Sequence, residues 1–149
     1  GTYWSMLMVE EVQPPDPESR QGVGPRRRPL HQVVRYGVQC VTHIQGPGSD
    51  ALRLLQTRLV PGADGSAELL LDVENEGARW AAPTPWAEVF DHDGALVGRY
   101  TAEKKRLFPG TSVRFRMALG ALASGEYQVL VVLDDGGPEV LGATYRLEL

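Results

Sequence analysis

Apolar and polar residues alternate with a period of two through most of this chain, which is the mark of half-buried β-strands. From Leu30 to Ile44 one parity reads Leu30, Val34, Tyr36, Val38, Cys40 and Ile44, broken by Gln32 and Thr42. The other carries His31, Arg35, Gln39 and His43 among its apolar members. That predicts one strand over 30–44, with Gly37 as the place for a bulge or bend. An apolar run opens the chain at Tyr3-Trp4-Ser5-Met6-Leu7-Met8-Val9 and stops at Glu10. Further strands are predicted at 52–60, 67–74, 85–90, 96–101, 112–119, 127–133 and 140–149. In 67–74, Leu69, Leu71 and Val73 share a face against Glu68, Asp72 and Glu74, and Leu70 is the exception on the polar side. Helical periodicity is nearly absent.

Turn chemistry separates these runs. Pro61-Gly62, Asp64-Gly65, Asn75-Glu76-Gly77, Asp91-His92-Asp93-Gly94, Pro109-Gly110 and Asp134-Asp135-Gly136-Gly137 all fall where one run ends and another begins. Seven short strands at such spacing predict an all-β fold, an antiparallel β-sandwich over 51–149. Gln45-Gly46-Pro47-Gly48-Ser49 reads as a linker, placed at 45–50. Between the first two strands, residues 13–29 hold five prolines, two glycines and the run Arg26-Arg27-Arg28. That composition predicts a flexible loop with a solvated basic segment.

Two stretches repeat a pattern: Gly1-Thr2-Tyr3 and Gly125-Glu126-Tyr127 each lead into an apolar strand with an acidic stop. In Leu119-x-x-Leu122-x-x-Gly125-x-Tyr127 the glycine suits a sharp crossing between sheets. The tyrosine two residues on can return its hydroxyl to the crossing backbone, as in the tyrosine corner of immunoglobulin-like sandwiches. The repeat predicts the same late hairpin in two successive domains. Residues 1–44 are then the last two strands of an incomplete N-terminal immunoglobulin-like domain, and 51–149 form a complete one.

The run Tyr3 to Glu10, the long polar loop and Val33-Val34-Arg35-Tyr36-Gly37-Val38-Gln39 resemble the end of the first domain of periplasmic pilus-assembly (PapD-like) chaperones and their two-domain relatives. Val73-Glu74-Asn75-Glu76-Gly77, Phe90-Asp91-His92-Asp93-Gly94 and Phe108-Pro109-Gly110-Thr111-Ser112 resemble the immunoglobulin-like second domain common in envelope proteins. The resemblance implies a chain truncated at its N-terminus that acts, without catalysis, as a chaperone or scaffold in the periplasm or at the surface of a bacterium. It implies binding of a protein partner by β-strand addition through the long strand, with Val34, Tyr36 and Val38 in the apolar row. Arg35 is its counterpart of the cation that anchors the client's terminal carboxylate. Residues 1–44, as an unpaired strand pair, are also expected to join the same segment of another chain in a dimer.

Composition narrows the chemistry. The 149 residues carry a net charge of −4, which argues against a nucleic-acid surface. No stretch approaches the ~20 apolar residues of a membrane helix. A single cysteine, Cys40, excludes an internal disulfide and is expected to be a buried, inert thiol. Asp91, His92 and Asp93 could be drawn as a metal site, but Asp-x-Asp-Gly in a short hairpin is ordinary turn chemistry. His31 and His43 lie about 40 Å apart along one strand, at ~3.3 Å per residue, too far to share a ligand. Gly-x-Ser-x-Gly, a phosphate-binding loop and a histidine partner for Cys40 are all missing, so no catalytic residue, metal or cofactor is assigned. Trp80 and Trp86, flanking Ala-Ala-Pro-Thr-Pro, leave an alternative open: a surface accessory module binding carbohydrate or protein through its loops.

Overall fold

Alternation becomes strand wherever a turn lets two runs meet, and nine strands form in chain order among the described residues. The computed structural model describes residues 1–12, 33–46, 48–62, 64–137 and 140–149. The strands are β1 (Thr2–Glu10), β2 (Arg35–His43), β3 (Leu52–Pro61), β4 (Ser66–Asn75), β5 (Thr84–Phe90), β6 (Leu96–Thr101), β7 (Ser112–Ala121), β8 (Glu126–Asp134) and β9 (Leu141–Glu148). No helix occurs among the described residues. Residues 13–32, which include the proline-rich loop, Arg26 to Arg28, Leu30 and His31, lie outside the described residues. The chain divides into two units, one of Gly1–Tyr3 with His43–Leu149 and one of Trp4–Thr42.

The larger unit is an antiparallel β-sandwich. One sheet has the order β3-β4-β7 and the other β6-β5-β8-β9. Neighbours in sequence change sheet between β4 and β5 and between β6 and β7, and return between β7 and β8, the immunoglobulin-like Greek-key path. Leu69, Leu71 and Val73 of β4 and Phe115 and Met117 of β7 point inwards. They meet Ala87 and Val89 of β5 and Val129, Val131 and Leu133 of β8 in one core. Each of these comes from the apolar parity of its run, so the alternation sets the inner face directly.

Leu70 is buried although it stands on the polar face of β4. Its partners across the sheet are Arg58 on β3 and Arg116 on β7. Long arginine stems can cover an apolar neighbour while their charged ends stay in water. Two irregularities interrupt the ladders of this sheet, one between Leu54 and Gln56 and one where Gly120 opposes Ala67. Gly120 has φ 73°, a conformation that suits glycine.

At the crossing into β8 the Tyr127 hydroxyl donates to the Ala123 carbonyl at 2.6 Å while its ring joins the core. This is the tyrosine-corner geometry that Gly125-x-Tyr127 predicts. The repeat at Gly1-x-Tyr3 does not reproduce it, because Tyr3 is 63% exposed. The Thr57 hydroxyl is buried with no hydrogen-bond partner. Replacing it by the isosteric Val removes an unpaired polar atom, so Thr57→Val is expected to raise stability by ~1 kcal/mol in chemical denaturation.

The smaller unit holds most of a two-stranded sheet, β1 with β2. Gly1 and Ile44 exchange both backbone bonds, at 2.7 and 2.8 Å, and Arg35 bonds Glu10 at 2.6 Å. The strands therefore run antiparallel. Gly37, where a bulge or bend is expected, is not at positive φ. What glycine supplies there is space: a Cβ would stand 3.0 Å from the Met6 sulfur and 3.5 Å from that of Met8.

Candidate functional site

Val34, Arg35, Tyr36 and Val38 all fall at or beside the start of β2. Tyr36 and Val38 share one face of the ribbon and are 67% and 50% exposed. Arg35 lies on the opposite parity and is already engaged by the Glu10 carboxylate across the ribbon. Every residue from Tyr3 to Glu10 and from Arg35 to His43 is exposed. Cys40 is exposed too, against the expectation of a buried thiol. The reason is architectural: an apolar run is buried only when a second layer faces it, and this sheet has two strands and no such layer among the described residues.

The edges of the ribbon differ. Because Gly1 and Ile44 form a hydrogen-bonded pair, odd-numbered residues of β1 and even-numbered residues of β2 turn their peptide groups inwards. Even-numbered residues of β1 face outwards, and Thr2 spends its N–H on the Ala78 carbonyl at 2.7 Å. The outer edge of β1 is thus occupied at its start. On β2 the outward peptide groups belong to Arg35, Gly37, Gln39, Val41 and His43, and among the described residues no strand pairs with that edge.

The other candidate residues have partners within the fold. Asp91 Oδ1 accepts from the N–H groups of Asp93 and Ala95, at 3.0 and 2.8 Å, and Gly94 takes φ 79°. That is a side-chain-capped turn. Trp86 is half-buried, with the Arg99 guanidinium 3.9 Å from its ring centroid. The Trp80 ring has the His43 ring 5.9 Å away, tilted by 44°, and the Arg106 guanidinium 5.6 Å from its centroid. The Trp80 backbone N–H donates to the Thr2 hydroxyl, which also shares a hydrogen bond with His43 Nδ1.

Asn75 was legible only as a strand stop. In the fold it is 1% exposed, and its amide donates to the carbonyls of Arg79 and Leu107 and accepts from Gly77 N–H. It thereby ties the loop after β4 to the loop before β7, where Ala81 and Leu107 pair in an isolated bridge. Next to it opens a cleft of about 420 Å³ lined by Leu52, Arg79, Leu133, Leu141, Asp50 and Asp135. Arg79 pairs with Asp50 at 3.3 Å, and Asp135 caps its own turn through Gly137 N–H, so the charged groups of the rim are engaged within the fold.

Charge is organised on the outer face of the three-stranded sheet. Arg114 grips Asp72 through two bonds of 2.7 and 2.8 Å, Arg116 pairs with Glu68, and Arg53 reaches Glu74 and Glu76. The Arg114 hydrogen bonds hold the Asp72 carboxyl below the usual carboxylate range. A depressed folded-state pKa means that the stabilisation is complete above that range and is lost as pH falls through it. Asp72→Asn is expected to cost about 1 kcal/mol or less at neutral pH, and the difference from the parent should close on acidification. Unfolding curves for both proteins across acid pH measure it.

No protein-family model matches the chain, and no curated protein matches it in sequence. Solved structures give partial likenesses. The Pseudomonas fluorescens alkylpurine DNA glycosylase AlkC, solved with DNA containing an abasic site analogue, is 13% identical with a TM-score of 0.46 over 66% of this chain. DesR, a β-glucosidase from Streptomyces venezuelae, is 14% identical with a TM-score of 0.45 over 68% of this chain. A FixG-related protein from Vibrio parahaemolyticus is 16% identical, with a TM-score of 0.40 over 70% of this chain and 97% of its own length. The chain spans 30% of the first of these and 15% of the second. At such distances none of them bears on activity. Among the described residues no helix is long and apolar enough to cross a membrane.

Proposed function

We propose that this chain is a non-enzymatic cell-envelope protein, chaperone-like or scaffolding, that binds a protein partner by β-strand addition at the outer edge of β2. The observation that carries the reading is the ribbon itself: two long antiparallel strands, apolar and exposed on both faces, with the β2 edge unpaired among the described residues. A two-stranded sheet of this kind is marginal in water, and an added strand supplies both the missing ladder and a neighbour for the side chains. Tyr36 and Val38 offer the apolar contacts. Arg35, held by Glu10, acts in this reading as half of an ion pair that closes the ribbon's far end. The periplasmic or surface location rests on the resemblance to pilus chaperones.

A peptide of alternating apolar residues, titrated into the full chain, is expected to bind and to slow amide exchange at Gly37, Gln39 and Val41. Val38→Glu should weaken that binding by more than about tenfold while the sandwich keeps its unfolding midpoint. Exchange at β2 unchanged at saturating peptide would defeat the reading.

A further inference from the structure

We propose that the strand added at the β2 edge is β2 of a second copy of this chain, running antiparallel about a two-fold axis at Cys40. This rests on the strand-addition reading above and names its occupant. The support is the match of the edge to itself. With the axis at Cys40, Tyr36 faces Ile44 of the second copy, Val38 faces Thr42, and Cys40 faces Cys40, all on one side of the sheet. On the other side Gly37 faces His43 and Gln39 faces Val41, and these are residues whose peptide groups point outwards. Arg35 falls opposite Gln45, so no charge meets a like charge, and Arg35 is neutralised within its own ribbon by Glu10.

Moving the axis one residue, to Gln39, sets Arg35 against His43 of the second copy and loses the Tyr36–Ile44 pair. The Cys40 register therefore combines the aromatic and β-branched pairs that favour cross-strand contact with an absence of opposed charge. The product is a four-stranded sheet, which passes the size at which sheets become independently stable. Because Cys40 is even-numbered and turns its peptide groups towards β1, this axis also places the two Cys40 side chains in a non-hydrogen-bonded pair, where Cα atoms stand about 4.5 Å apart. That separation suits a disulfide. With an added thiol oxidant such as diamide, the two thiols lose two hydrogens to the diazene and join through one S–S bond, leaving the hydrazine.

The test uses the full chain under reducing and oxidising conditions. Sedimentation under reducing conditions is expected to show a concentration-dependent dimer, and diamide should convert it to a covalent dimer through Cys40. Cys40→Ser should keep the reversible dimer and lose the covalent one. Moving the thiol to the other face, as Gln39→Cys with Cys40→Ser, should cut the cross-linking yield by about tenfold. Val38→Glu should weaken self-association by about as much. A chain that stays monomeric but binds the alternating peptide at β2 would overturn the second copy as occupant and leave strand addition standing. A monomer that also ignores the peptide would remove both. Equal cross-linking from positions 39 and 40 would overturn the two-fold register.

Discussion

Asn75→Ala is expected to destabilise the sandwich by about 3 kcal/mol, more than its size suggests, because the side chain is a junction rather than filler. Removing it deletes three hydrogen bonds at once and leaves the Arg79 carbonyl without its Asn75 donor, while the Leu107 carbonyl keeps Ala81 N–H and Gly77 N–H keeps the Ala51 carbonyl. A net hydrogen bond is worth roughly 0.5–1.5 kcal/mol, and three are lost together. The backbone of the same residue also bonds Thr111 and Gly110, so the damage falls on the two loops it joins. Gly77 leaves no slack there, since a Cβ would come within 2.6 Å of the Ser49 carbonyl. Asn75→Asp separates the hydrogen bonds from packing. It keeps the shape but sets a carboxylate oxygen where the amide donated to two carbonyls, and its loss should approach that of the alanine at neutral pH. Urea unfolding with near-ultraviolet dichroism reads both. An aspartate variant as stable as the parent would show that packing alone accounts for the site.

Phe115→Ala should cost about 3–5 kcal/mol, comparable with the whole stability of many domains of this size. Phe115 is the largest of the fully buried side chains, and it sits opposite Leu71 on the inner face of the three-stranded sheet. Its loss removes apolar contact and leaves a hole between two sheets that can close only by bending strands. Phe115→Leu fills most of the space and should cost under about 1.5 kcal/mol. The comparison of midpoints at unchanged denaturant slope tests whether the loss is local. A slope that falls in the alanine variant would mean the native sandwich itself has loosened.

These two positions mark the limit of what the sequence could convey. Phe115 was legible, since Val113, Phe115 and Met117 alternate with Arg114 and Arg116 and a period of two assigns the inner face. The seven strands of the sandwich, its turns and Tyr127 followed from the same local rules. Asn75 was not legible, because Asn before Glu-Gly reads as an ordinary strand stop, and its three partners lie up to 32 residues away. Cys40 was misread for a related reason. An apolar run shows that a strand can be buried but not whether a second layer faces it. Of the four residues assigned to partner binding, three lie on β2 and Val34 directly precedes it, but parity alone could not reveal that Glu10 answers Arg35 from the neighbouring strand.

The irregularity at Gly120 has a consequence for how the three-stranded sheet finds its alignment. A pattern with a period of two is blind to displacement by two: sliding β7 by a pair of residues along β4 returns apolar side chains to the core and arginines to the outer face. Alternation therefore leaves a family of equivalent alignments. The extra residue Leu119, unpaired between Ala118 and Gly120, breaks that translational symmetry, because the left-handed backbone that accommodates it falls on Gly120. Gly120 acts as the index mark on an otherwise evenly divided scale.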